Sequence, residues 1–265
     1  MSTTALWRLA AAGFTVLVVV AGVLVTWTLL RPRGEIKREN QREEVTHALT
    51  RLVFDEFEAS DIVVKTMGGP NRQLVIERNF KWTGSEKPGY SETWSGDTLT
   101  ISHNCGNSSS DDCSVKYTVT IPEPILAGVT VQAETASGDL WVLGIPGAVK
   151  LSTVSGDLHT EGLSGTQELQ TVSGDLKVTE SKSTNVKAKT VSGDLTLSFF
   201  TSPRDISGGT TSGDLVIEVP GQTGPYRVQA KSVSGDQKVT VDTSASSSLL
   251  VDAQTTSGDL TVRYR

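Results

Sequence analysis

Cysteine, histidine and surplus positive charge are all scarce in this chain, and each shortage closes off a class of function. Two cysteines in 265 residues leave a zinc site short of ligands. The three histidines, His47, His103 and His159, fall in unrelated segments, so no histidine-based catalytic motif is spelled out. A formal net charge of −6 provides no basic footprint and excludes nucleic acid as an expected partner. Gly-x-Ser-x-Gly elbows and phosphate-loop patterns are missing too. No catalytic residue, cofactor or metal is therefore expected, and the chain reads as a non-enzyme. Apart from one apolar run near the start, nothing has helical periodicity.

What is present is repetition. Ser-Gly-Asp occurs at Ser137-Gly138-Asp139, Ser155-Gly156-Asp157, Ser173-Gly174-Asp175, Ser192-Gly193-Asp194, Ser212-Gly213-Asp214, Ser234-Gly235-Asp236 and Ser257-Gly258-Asp259. Successive serines are 18, 18, 19, 20, 22 and 23 residues apart. A period near twenty marks units too small to bury an apolar face alone. Before each bend, alternate residues are inward, as in Val149, Leu151 and Thr153; after it the inward parity resumes, as in Leu158 and Thr160. Gln237 stands where the other six copies have Leu.

Two layouts fit such a unit. Gly-Asp can close a hairpin in an antiparallel meander. Alternatively each unit is one rung of a β-solenoid, with like corners piled about 4.8 Å apart. The inward column Thr135, Thr153, Thr171, Thr190, Thr210, Ser232 and Thr255 favours the solenoid, because like-on-like ladders arise when every rung repeats one corner. The expected fold is all-β: a solenoid over 129–265, behind a lead-in and capping β region over 45–128. The segment Glu58-Ala59-Ser60-Asp61-Ile62 reads as a worn copy without its Gly, while Ser95-Gly96-Asp97 reads as a hairpin turn.

Leu9 to Leu30 is a run of 22 residues without a charge, enough to cross a bilayer as one helix. A cleaved signal peptide has a shorter apolar stretch ending in small residues, whereas this one ends Thr28-Leu29-Leu30-Arg31. The expectation is a tail over 1–8, a single transmembrane helix over 9–30 and a solvated charged spacer over 31–44. Helical pairs Glu35–Arg38 and Glu39–Arg42 are one option for the spacer. Positive-inside counting sets Arg8 against Arg31, Arg33, Lys37, Arg38 and Arg42, which argues for a cytoplasmic β domain.

Cys105 and Cys113 argue the opposite side. They flank one polar loop between strand-like runs, the pattern of a disulfide in an oxidising compartment. The alternatives are zinc, for which only His103 is nearby, and a pair of unbonded thiols.

Several pieces together resemble the bacterial DUF4097 family of adhesin-like, β-strand-repeat envelope proteins. They are the apolar N-terminal run, Phe80-Lys81-Trp82, Glu92-Thr93-Trp94, the Cys105…Cys113 loop running into Ser114–Pro122, and the train of Thr-x-Ser-Gly-Asp-Leu units. The resemblance implies a stacked β-helix-like fold at the cell envelope, in some members tied to envelope-stress or antimicrobial-peptide responses, and no catalytic residues. With the cysteines it places the β domain outside the cytoplasm.

Two columns remain. Asp139, Asp157, Asp175, Asp194, Asp214, Asp236 and Asp259 would stack along one corner, held by backbone N–H groups of their own corners or by a calcium ladder. Val154, Val172, Val191 and Val233 would form an outward apolar stripe, covered by the lead-in half, packed on a neighbouring molecule or left to dock a partner. The chain thus reads as a single-pass envelope protein displaying a rigid surface for binding or sensing, with another envelope or membrane protein as partner. The alternatives are a purely structural, self-associating protein and, last, a carbohydrate-active β-helix enzyme. The longest connections, Phe199–Gly208 and Val219–Tyr226, are short for the cleft such an enzyme needs.

Overall fold

Each of the seven repeat Ser-Gly-Asp bends turns the chain out of one sheet and into another, glycine taking the positive φ, whereas Ser95-Gly96-Asp97 closes a hairpin within one sheet. The structure is a computed structural model and describes residues 35–83, 87–105, 113–221 and 224–265. Lys37–Arg265 form one unit. Its first part supplies β1 (Lys37–Val45), β2 (Arg51–Ala59), β3 (Ile62–Met67), β4 (Leu74–Trp82), β5 (Gly89–Ser95), β6 (Thr98–Asn104) and β7 (Cys113–Pro122). A 3-10 turn at Glu123–Ile125 leads into the repeats.

The repeats contribute two strands each. They are β8 (Thr130–Ser137) with β9 (Leu140–Leu143), β10 (Val149–Ser155) with β11 (Leu158–Glu161), and β12 (Gln167–Ser173) with β13 (Leu176–Ser181). Next come β14 (Asn185–Lys189) with β15 (Leu195–Phe199) and β16 (Asp205–Ser212) with β17 (Leu215–Val219). Last are β18 (Arg227–Ser234) with β19 (Gln237–Val239) and β20 (Leu250–Ser257) with β21 (Leu260–Tyr264).

One sheet has eleven strands, ordered β1-β4-β7-β3-β9-β11-β13-β15-β17-β21-β19. The other has ten, ordered β18-β20-β16-β14-β12-β10-β8-β2-β6-β5. Like pairs with like in parallel: Leu151 lies between Ala133 and Leu169, and Leu158 between Leu140 and Leu176. The strands flanking each repeat bend belong to different sheets, which rules out the meander. The chain is all-β with long, mainly parallel sheets, the arrangement stacked rungs require.

The alternation in sequence decides what is buried. Leu140, Leu158, Leu176, Leu195, Leu215 and Leu260 form one fully buried column just past the bends. Burying each leucine is worth about 1.5–3 kcal/mol, and the shelter comes from the rungs on either side.

Stacking departs from chain order at both ends. β2 pairs with β6 and β8, and β3 with β7 and β9, so the worn copy at Ser60-Asp61 is a rung between β6/β7 and the first repeat. At the other end β20 lies between β16 and β18, and β21 between β17 and β19. The seventh unit is therefore inserted between the fifth and the sixth. The C-terminal strand is therefore not an edge of its sheet. β21 is an interior strand, with Arg263 on Glu218 at 2.6 Å and Arg265 paired with Glu180. Gln237 supplies the physical reason, since its rung is outermost and its side chain is exposed, where Leu would gain nothing.

The charged spacer is also corrected. From Lys37 onward it is β1, antiparallel to β4. Its charges are matched by residues distant in sequence and not along a helix: Arg42 meets Glu77 on β4 at 3.2 Å, and Glu39 meets Lys87, just ahead of β5, at 2.7 Å. The expected tail and membrane helix, 1–8 and 9–30, lie outside the described residues. Among the described residues, no helix is long and apolar enough to cross a membrane.

The lead-in strands close one end of the stack. β1 and β4 extend one sheet antiparallel, and β5 extends the other. Arg78 on β4 joins both sheets: its side chain, 3% exposed, binds Glu92 on β5 with two nitrogens and Glu43 on β1 at 2.7 Å. Burial alone would pull the guanidinium down, but its bonds to Glu92 and Glu43 prevail and push it up. Beneath it Tyr117 packs on Phe54 and Phe57, and burial raises its phenol, with Glu92 adding to the rise.

The inserted seventh unit yields a test. Deleting residues 250–265 removes the ladder partners of both β18 and β19. Hydrogen exchange across 227–239 should then rise to the rate of unstructured chain, while 149–199 stays protected. Retained protection in 227–239 would mean that the sixth unit stacks on the fifth directly.

Candidate functional site

The bend column is built by three residue types, each with one task. Gly174 has φ 148°, and a Cβ there would lie 2.1 Å from the carbonyl oxygen of Gly156 in the next rung, so the rungs approach too closely for any side chain. The same near-contact recurs from Gly156 to Gly258. The inward threonines then satisfy the glycine carbonyls. Thr171 Oγ1 donates to Gly156 O at 3.1 Å, Thr190 to Gly174 O at 3.1 Å and Thr210 to Gly193 O at 3.1 Å. Ser232 does the same for Gly258 at 3.1 Å and Thr255 for Gly213 at 3.2 Å, across the inserted rung. Thr135, whose neighbour is the glycine-free copy, instead turns to Ser137 O at 3.2 Å.

The aspartates bond between rungs, a correction to the expectation that each would serve its own corner. Asp175 N–H donates to Asp157 Oδ1 at 2.8 Å, Asp194 N–H to Asp175 at 2.8 Å and Asp214 N–H to Asp194 at 2.8 Å. The chain of bonds continues from Asp259 to Asp214 and from Asp236 to Asp259, both at 2.8 Å, in spatial and not sequence order. It begins at Asp61, which accepts from Asp139 N–H at 3.2 Å, and Asp139 accepts from Asp157 N–H at 2.9 Å. Among the described residues these carboxylates do not gather in threes within reach of one cation. A backbone ladder, and not calcium, is what the column's geometry supports.

On the outer face of the ten-stranded sheet, Val154, Val172, Val191 and Val233 are 56%, 46%, 47% and 68% exposed. The expected cover by the lead-in half is corrected: β2, β6 and β5 continue this sheet edge to edge and leave its outer face open. The first three valines occupy adjacent rungs; Thr211 and Thr256 separate them from Val233. They border a shallow groove of about 690 Å³ lined by Thr, Ser, Gln and Lys side chains, Gln170 and Lys189 among them.

The histidines do not converge. His47 stacks on Trp94 at 4.2 Å and meets Gly96 O through Nε2 at 3.0 Å. His159 stacks on Trp141 at 4.5 Å; burial lowers its imidazole pKa against the upward pull of Glu161. His103 is buried beside Cys105 and Cys113, which form a disulfide with a Cα–Cα distance of 5.9 Å. That proximity was readable only as nearness in sequence, since a single residue, Asn104, separates His103 from Cys105.

Two substitutions test the bend. Gly174→Ala should cost about 3 kcal/mol or more, read as a lowered denaturation midpoint, because backbone oxygen occupies the Cβ position. Asp175→Ala should cost about 1 kcal/mol by orphaning the Asp194 N–H, and Asp175→Asn should recover most of it. Calcium should leave the melting temperature of the parent protein unchanged; a calcium-dependent rise would restore the cation ladder.

Likeness to solved structures is faint. A candidate cell adhesion protein of Clostridium sporogenes is 15% identical, with a TM-score of 0.36 over 86% of this chain and 100% of that one. A candidate adhesin of Bacteroides fragilis is 10% identical, with a TM-score of 0.42 over 86% of this chain and 97% of that one. No curated protein matches. The family model named Toastrack DUF4097 matches residues 79–263, which takes in β5, the cysteine loop and all seven bends, and the chain belongs to that family.

Proposed function

We propose that this protein is a membrane-anchored, non-catalytic component of the cell envelope, whose β-solenoid stands outside the cytoplasm and binds a partner protein on its valine face. The observation that carries the reading is the row Val154, Val172 and Val191 on adjacent rungs, left half-exposed beside outward Ser152, Gln170 and Lys189. Inward parity explains every buried residue of these rungs and gives no reason for valine here. An apolar row beside a shallow groove on a parallel sheet fits contact with another protein. The charge-free run Leu9–Leu30 supports the anchor, and the Cys105–Cys113 bond supports an oxidising side.

A second reading, self-association, rests on a different feature. β18 and β19 are the outermost strands of the two sheets, and Val228, Ala230 and Val239 behind them are only partly covered.

One set of variants separates the two. Val172→Lys with Val191→Lys should leave stability within about 0.5 kcal/mol, as both sites are exposed. Cross-linking in intact cells should capture a distinct envelope protein with the parent chain and lose it with the double variant. Capture of this chain alone would favour self-association, and an unchanged partner would remove the valine face from the proposal. Ala245→Cys, on an exposed connection, should react with an impermeant maleimide in intact cells; protection would put the domain in the cytoplasm.

A further inference from the structure

Beyond the bend column and the valine face, one cluster of chemically capable side chains converges at the capped end. His103, Cys105 and Cys113 are 1%, 6% and 2% exposed. One ligand atom from each lies within 4.8 Å of the others. His103 Nε2 is 3.7 Å from Cys105 Sγ and 3.9 Å from Cys113 Sγ. The ring's other nitrogen, Nδ1, lies 3.2 Å from Oγ of Ser60, itself buried at the bend of the worn rung. With Nδ1–H donating to Ser60, the Nε2 lone pair faces both sulfurs. That is how second partners orient a metal-binding imidazole.

We propose that the dithiol form of this loop binds one thiophilic cation, copper(I), through the two thiolates and His103 Nε2. Opening the disulfide takes two electrons and two protons from a dithiol reductant, which leaves as its own disulfide. Binding then releases the two thiol protons to water and puts two thiolates and a neutral imidazole on the ion. Thiolates about 2.3 Å from a shared ion sit no more than roughly 4.6 Å apart. Side-chain rotation can reach that separation from a Cα–Cα distance of 5.9 Å. Soft sulfur donors select copper(I), which is content with three ligands; zinc would require a fourth donor or a water in a site closed to solvent. The bonded sulfurs of the oxidised form are not thiolates, so the site exists only after reduction. Neither the valine face nor the membrane anchor enters this inference.

The test uses the full chain in detergent micelles, reduced with dithiothreitol and desalted without oxygen. Copper(I) is then titrated in competition with bicinchoninate, whose copper complex absorbs visibly. The reduced protein should withdraw one equivalent, and the oxidised protein none. Cys113→Ser should abolish the withdrawal, and His103→Asn should weaken it. Ser60→Ala, which leaves all three ligands in place, should weaken binding about 10–100-fold. Circular dichroism confirms the β fold of each variant. Equal withdrawal by reduced protein and Cys113→Ser would overturn the site. Preferential uptake of zinc would overturn the copper assignment. Loss of the β spectrum on reduction would show that no folded dithiol form exists.

Discussion

Close approach of neighbouring rungs at the Ser-Gly-Asp bend is the constraint on which the fold depends. The distance is set by backbone alone, because a Cβ on Gly174 would stand 2.1 Å from the carbonyl oxygen of Gly156. At that spacing the flanking side chains become the hydrogen-bonding surface of the corner. Threonine hydroxyls inside meet glycine carbonyls, and aspartate carboxylates outside meet the next aspartate's N–H. Each aspartate's backbone donor is engaged by its neighbour's side chain, so the polar cost of turning a strand through a corner is met by the next corner. Leucine just past the bend then enters a core already aligned. One tripeptide thus fixes rung spacing, register and the direction of the following strand.

A stack built this way has two ends, and the chain treats them differently. The first is closed by antiparallel strands and by Arg78, whose buried charge is balanced by Glu92 and Glu43 from two other strands. Removal of either carboxylate would leave that charge poorly compensated, a situation that costs proteins several kcal/mol. At the second end, among the described residues, β18 and β19 are the outermost strands and Gln237 is exposed. Placing the C-terminal unit inside the stack gives it ladder partners on both sides. Its arginines then bridge to Glu218 and Glu180 and do not guard an edge.

The repeat unit was legible because its signals are local. Parity before the bend, the glycine and the leucine after it are all properties of a dozen consecutive residues. The rung at Ser60-Asp61 could be seen for the same reason, despite its missing glycine. Order in space was not legible, since Ser212 pairs equally well with Ser234 or Ser257 as far as residue types go. Gln237 held the one clue, an inward position that never needed to be apolar. β1 was hidden by its charges, whose partners Glu77 and Lys87 lie far along the chain. The aspartate column could be seen as a column, but its bonds could not, because their donors belong to the rung beyond.

Engineered disulfides between bends measure the stacking order directly. Parallel neighbours stand about 4.8 Å apart, within bonding range for paired cysteines, whereas alternate rungs at about twice that distance are not. Ser212→Cys combined with Ser257→Cys should form a bond under mild oxidation, and Ser212→Cys combined with Ser234→Cys should not. Bonding in the second pair and none in the first would show that the rungs stack in chain order and contradict the architecture described here.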